Sequence, residues 1–350
     1  MKRLLILVLI SIIYVSCKVQ YQPRTFENIF IKEIKMDSIS IRSIQVIDAN
    51  NIVYTGSNGK IGFLSLNKEQ IKIDKIITPH IYSGSIIPDF RSLAFNGESY
   101  FALSVGNPAL LYKVFNDKAK LVYKEINQKV FYDSMHFWND NEGIVVGDFT
   151  EKCINILITR DGGDSWIKQD CSKFLNIEEG EGFFAASDTN ISVKGDNIWL
   201  ATGGINSRVY YSNNKGKDWK VIETPIIQGE STTGIFSIDF YDQKNGFAIG
   251  GDYTKPLINS NNKIRTTDGG LTWTVVAENQ NPGYRSCVQY VPNSKGLGLV
   301  SLGFNGVDYS SDAGDSWTNL SSEGYYSFRF YNDSIAYAAG NGKISKFLFK

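Results

Sequence analysis

Short runs in which every second residue is apolar recur along the whole chain, separated by Gly-, Asn- and Asp-rich breaks, and this period-2 pattern predicts many short β-strands. Aligned on a Ser that opens an alternating run, followed by a turn and a short apolar run ending in Gly, the pattern occurs seven times. The units run from Ser43 to Gly56, Ser92 to Gly106, Ser134 to Gly147, Ser192 to Gly203, Ser237 to Gly250, Ser286 to Gly303 and Ser327 to Gly340. A third strand follows each Gly, and the Gly spacing averages roughly 50 residues, as four-stranded blades with loops require. The expectation is an all-β fold, a seven-bladed β-propeller of four-stranded antiparallel blades. The last unit ends at its third strand, 343 to 349, while the segment beginning Phe26-Glu-Asn-Ile-Phe precedes the first unit and has no blade of its own. That N-terminal strand is expected to complete the last blade and close the ring, leaving no exposed sheet edge.

Four turns share one spelling, Ser/Thr-x-Asp/Asn-x-Gly-x-x-Trp. They comprise Thr159 to Trp166 around Asp161, Ser212 to Trp219 around Asn214, Thr266 to Trp273 around Asp268, and Ser310 to Trp317 around Asp312. Each lies between strand-like runs, so each reads as a hairpin turn whose polar side chain bonds its own backbone, whose Gly takes positive φ and whose Trp pins the turn to a neighbour. The spelling resembles the Asp box, the bacterial neuraminidase repeat of β-propellers, and Asp-Gly-Gly-x-Ser/Thr-Trp is most similar to propellers related to photosystem II assembly factors. The resemblance implies a binding platform for nascent or complexed membrane proteins, without a cofactor. The turns themselves read as structural and would lie on the outer rim of the face opposite the site.

At 350 residues the chain is long enough for two average domains, but the repeats make residues 26–350 one continuous unit. Lys+Arg and Asp+Glu both total 36, so no global field steers the protein toward nucleic acid. Aromatic content of 13% and 32 Gly suit short strands and tight turns. Residues 1–17 combine Met1-Lys2-Arg3, an apolar run from Leu4 to Val15, and Ser16-Cys17, which reads as a secretory signal ending at a lipidated cysteine. Residues 18–25 would then be a tether, and the setting a bacterial periplasm or outer membrane, with the protein a lipid-anchored monomer. Cys153 and Cys171 flank the first turn symmetrically: pairing Thr159 with Ser165 sets them opposite each other, which allows a cross-strand disulfide, although two buried thiols fit equally the same positions. Two histidines, His80 and His136, with no ligand spacing around them, argue against a metal site.

In a propeller the first strand of each blade lines the central channel, and the blade-joining loops gather at its mouth. The residues just before the seven Ser positions are Arg42, Arg91, Asp133, Ile191, Phe236, Arg285 and Tyr326. Three arginines in one slot suit a carboxylate or phosphate, or an acidic partner surface. Asp133, Asp148 and Asp252 are expected near them, and the same set reads alternatively as an Arg–Asp network holding blades together. The loops 67–90, 116–132 and 169–190 would wall the mouth, the second with Tyr123, Phe131 and Tyr132, the third with Glu178, Glu179 and Glu181.

Sialidases also carry such turns, which makes a glycoside hydrolase the alternative, but there is no Arg-Ile-Pro motif and no nucleophile pair that can be placed. An oxidoreductase reading has only Gly180-Glu-Gly182-Phe-Phe-Ala185, which lacks the strand and helix that a nucleotide fingerprint needs. The expected function is therefore a non-catalytic protein-binding or assembly platform of the bacterial envelope, with no cofactor, metal or nucleic acid.

Overall fold

The computed structural model describes residues 23–66, 71–77, 86–150, 153–173 and 178–350. Cys17, the leader, His80 and most of the expected tether lie outside these residues. Arg24, at the end of that tether, is already docked: its Nη1 donates to Ser334 Oγ at 2.6 Å and its Nη2 to the Phe349 carbonyl at 3.2 Å. The described residues form an all-β propeller of antiparallel strands.

Among the described residues the strands form six sheets, which corrects the expected seven separate blades. Four sheets are four-stranded, built on Phe90–Phe95, Tyr132–Phe137, Ile191–Lys194 and Cys287–Tyr290. A fifth, built on Thr233–Phe240, is extended to six strands by Gly203–Gly204 and Glu181–Gly182. The sixth is also six-stranded, because two long strands, Ile29–Val46 and Ile335–Phe349, each run without interruption through what the sequence reads as two elements. They pair from Ile29 opposite Phe349 to Lys35 opposite Lys343, a shift in register follows, and the second half of the first strand then pairs with Asn51–Gly56. The first and last sequence units thus share one hydrogen-bonded sheet.

Alternation places apolar residues on both faces of each sheet, so the core consists of seams between neighbouring sheets. In one seam Phe101, Leu103 and Leu111 meet Tyr132, Met135, Val145 and Trp166. In another, Trp199 and Val209 meet Ile235, Phe240 and Trp273.

The four repeated turns weld these seams at the outer rim. In the first, Thr159 Oγ1 accepts the Gly163 N–H at 2.9 Å and donates to Asp161 Oδ1, which also accepts the Ser165 N–H, while Ser165 Oγ donates to Asp161 Oδ2 at 2.6 Å. The turns at Asp268 and Asp312 repeat this set. The turn at Asn214 keeps it with polarity exchanged: Asn214 Nδ2 donates at 2.8 Å to the carboxylate of Asp218, which stands where the others have Ser or Thr. Gly163, at φ +81°, lies flat on the Phe101 ring of the preceding sheet, where a Cβ would come within 2.2 Å of the ring. Gly314 lies the same way on Phe247.

Cys153 and Cys171 are joined in a disulfide, with Cα atoms 5.3 Å apart. The register is one residue off the symmetric expectation, since Ile158 pairs with Ile167, and Cys171 begins a short 3-10 turn, Cys171–Lys173, instead of facing Cys153 across a ladder. Cys287 is free and buried.

Candidate functional site at the channel mouth

The slot before the recurring serines has a structural cause. Where Ile41 pairs with Gly56 and Ser43 with Thr55, Arg42 is left over as a bulge, and Arg91, Asp133 and Phe236 are skipped in the same way in their strands. A bulge turns an extra side chain out of the ladder, which is how these residues reach the mouth.

Arg42 and Arg91 face the same space, each lying within electrostatic reach of the other and of Asp89. Arg91 Nε donates to Asp89 Oδ2 at 3.1 Å. Arg42 forms no ion pair among the described residues; its guanidinium lies over the Tyr326 ring, 4.2 Å from the centroid, and Nη1 donates to the Ala186 carbonyl at 3.3 Å. Burial and then the Arg91 charge pull its pKa down. Asp133 is 0% exposed, and neither carboxylate oxygen has a well-formed hydrogen-bond partner. Burial, and next the charge of Asp148, raise its pKa well above its ordinary value, against the opposing pull of Arg91. Asp148 Oδ1 accepts the Phe183 N–H at 2.6 Å, and burial lifts this carboxyl to about 6.

The other two expected members lie elsewhere. Cys287 pairs with Leu302, one residue before Gly303, as Ser237 pairs with Ile249, one before Gly250. Cys287 therefore occupies the serine slot, and Arg285 falls two positions before it, not one. Its Nε donates to Asp308 Oδ2 at 2.6 Å in a buried pair, so Arg285 holds its own sheet together. Asp252 accepts the Thr254 N–H and hydroxyl at 2.9 and 2.7 Å, which makes it the cap of a turn. Of the loop residues, Tyr123 and Tyr132 both donate to Glu125 Oε2, and Tyr132 is buried. The stretch 116–132 also contains a strand, Lys118–Glu125. Glu181 is locked to Arg208 and Thr202 inside the fold, Phe131 is half-buried, and Glu178 and Glu179 are exposed.

Alternation did not reveal what fills the channel. Residues 186–190 cross the axis as a plug: Asp188 accepts from Ser43 Oγ at 2.5 Å and Ser92 Oγ at 2.7 Å, and the Arg329 guanidinium donates to its carbonyl at 2.8 Å. On the other side, Ser187 Oγ donates to the Ser286 carbonyl, and Thr189 Oγ1 to Ser237 Oγ. Ser43, Ser92 and Ser237 are thus hydroxyl sockets of the plug, and Ser286 meets it through its carbonyl. The recurrence of these serines was legible; the plug residues they meet, Ser187, Asp188 and Thr189, lie more than 40 residues from each of the four and were not. Beside the plug, Phe184 stacks on Phe236 with centroids 3.8 Å apart, Tyr284 meets Phe236 edge-on, and Tyr253 and Phe304 extend this aromatic ledge to solvent.

No protein-family profile matches the chain, and no curated protein matches it. Among solved structures, "YCF48 bound to D1 peptide" superposes with a TM-score of 0.63 at 12% identity, covering 95% of this chain and 97% of that one. YCF48 from Cyanidioschyzon merolae gives 0.61 at 14% identity over 91% and 98%, and the structure of U3-55K gives 0.60 at 11% over 91% and 98%. At such identities the likeness is one of fold, and this chain shares the β-propeller architecture of those proteins over nearly its whole length.

Proposed function

We infer that this protein is a non-catalytic scaffold that docks a protein partner on its loop face. The observation that carries this reading is the state of Arg42: a cation held by an aromatic ring and a carbonyl, beside a second arginine and an aromatic ledge, with no carboxylate of its own. Such a patch suits an acidic or carboxylate-bearing segment, because the partner supplies the anion that the fold omits. The neighbouring structures support it by analogy, since one of them is of a propeller bound to a peptide. The four rim turns, read as Asp boxes, stiffen the platform. In this reading the strand from Ile29 closes the ring by joining the first and last sequence units in one sheet. Secretion through the leader and lipidation at Cys17 would hold this platform at a bacterial membrane. The glycosidase alternative is disfavoured because Asp133 is sealed from solvent and Asp252 is engaged by its turn, which removes two of its candidate carboxylates.

Crosslinking with mass spectrometry on envelope fractions, comparing the full chain with an Arg42→Ala/Arg91→Ala variant, tests this. One partner lost from a folded variant is the expected result. Identical crosslinks in both forms would remove the mouth from the binding surface.

A further inference from the structure

The channel holds a second cavity, on the far side of the plug from Arg42, whose chemistry the docking face does not use. Its lining comes from the first strands of all six sheets, the fused sheet contributing two segments, and its volume is about 320 Å³. That is the lower end of the range for small-molecule sites.

The lining is not accidental in register. The Tyr290 N–H donates to Asp239 Oδ2 and the Phe330 N–H to Gln289 Oε1, which puts Asp239, Gln289 and Arg329 at one level, two residues below the serine slot. The Phe240 N–H donates in the same way to Ser192 Oγ, so Ser192 belongs to this level and Asn190 to the slot above. Counting two from Ser43 and Ser134 adds Gln45 and His136. Six of seven positions around one turn of the channel are therefore polar, where propeller strands need only small or apolar packing.

The two carboxylates at this cavity are already engaged. Asp239 accepts the Phe240 and Tyr290 N–H groups, and Asp188 accepts two serine hydroxyls and the Leu93 N–H, with Arg329 3.8 Å away. Arg329 in turn spends its donors on the Phe328 and Asp188 carbonyls. Lys194 differs: it is half-buried on the wall, and among the described residues it forms no hydrogen bond or ion pair. Gln289 uses only its oxygen, which leaves the amide N–H₂ to donate. His136 is exposed to the lumen, and its enclosure by the channel walls, followed by the Arg329 and Lys194 charges, pulls its pKa down to about 4. Tyr290, the remaining titratable wall group, is buried and held protonated.

We propose that this cavity is a binding site for a small anion, a phosphate- or carboxylate-bearing molecule seated against Lys194 and the Gln289 amide, with the guanidinium of Arg329 on the same wall adding its field. The site takes a compact ligand of one or two anionic groups, since a cavity of this size admits no extended chain. It is separate from the docking face, and either can fail alone.

Isothermal titration at constant ionic strength tests it, with inorganic phosphate, succinate and glucose as probes, on the full chain and on Lys194→Met and Lys194→Arg variants that retain the wild-type circular dichroism. The expected result is saturable one-to-one binding of phosphate or succinate, at least tenfold weaker in Lys194→Met, largely kept in Lys194→Arg, and absent for glucose. Binding of phosphate alone identifies a phosphoryl ligand, and binding of succinate alone a carboxylate. No saturable heat with either anion overturns the proposal, and so does equal affinity in wild type and Lys194→Met, or glucose binding as tightly as the anions. Partner crosslinking at the mouth should be unchanged in Lys194→Met.

Discussion

The guanidinium of Arg42 rests 4.2 Å above the ring of Tyr326, so a cation from the second half of the long N-terminal strand is seated on an aromatic that precedes the strand Ser327–Phe330. This contact spans the junction between the first and last sequence units, at the mouth, and leaves the guanidinium part-buried with no ion pair among the described residues. An arginine held this way contributes little to the fold while remaining ready for a partner's carboxylate.

Arg42→Ala should therefore lower stability by only about 1 kcal/mol, the value of a partly exposed cation–π contact. Urea unfolding reads that change. A loss of several kcal/mol would mean that Arg42 is structural and would weaken its assignment to a docking surface.

Arg285 should behave in the opposite manner. Its side chain is 7% exposed and its partner Asp308 3%, so truncating either leaves an uncompensated buried charge, with an expected loss of about 3 to 5 kcal/mol. Arg285→Ala should unfold at markedly lower urea concentration than Arg42→Ala, without selective loss of a crosslinked partner. Equal, small effects of the two substitutions would show that the buried pair is dispensable.

This contrast shows what local pattern could and could not supply. The strand spacing and the four rim turns were legible because their determinants lie within eight residues of one another. Arg285 was misplaced because Cys287 stands in a slot filled elsewhere by Ser, and its neighbour Ser286 imitates the missing residue one position early. Ser192 misled in the same way, two positions late. The merging of first and last units was not legible, since pairing between Ile29 and Phe349 joins opposite ends of the chain. Nor was the plug, whose bonds from Asp188 reach Ser43 and Ser92 across the ring. The serine period had been visible all along, but a period names positions and not their partners.

The turn at Asn214 offers a test of complementarity. Its three relatives pair a carboxylate with a hydroxyl, whereas Asn214 pairs an amide with the Asp218 carboxylate. Asn214→Asp alone sets two carboxylates together and should lose roughly 1 kcal/mol. Adding Asp218→Ser restores the arrangement of the other turns and should recover most of it. Urea midpoints of the two single variants and the double variant measure the coupling, and additive effects would show that the side chains do not interact.

Buried carboxyls around the plug set the pH dependence. Burial raises Asp148 to about 6, from 3.8 in the unfolded chain, the Phe183 N–H offsetting only part of that rise. Between these values the native state binds more protons than the unfolded state, so this group's contribution is fully present below 3.8 and is lost as pH rises through about 6. Asp188, lifted to about 6 by burial, and Asp133 and Asp239, raised by the same cause, act in the same direction. Glu142, pulled down to about 2 by its bond to Lys215, acts in the opposite direction and at lower pH. Asp148→Asn keeps an oxygen to accept the Phe183 N–H and removes one titration. The variant should therefore lose less stability than wild type between pH 4 and pH 7, by roughly 3 kcal/mol at most, the free energy of a shift of about two pH units. Urea unfolding of both proteins at the two pH values measures this difference, and parallel profiles would mean that Asp148 titrates in the folded protein as it does in the unfolded chain.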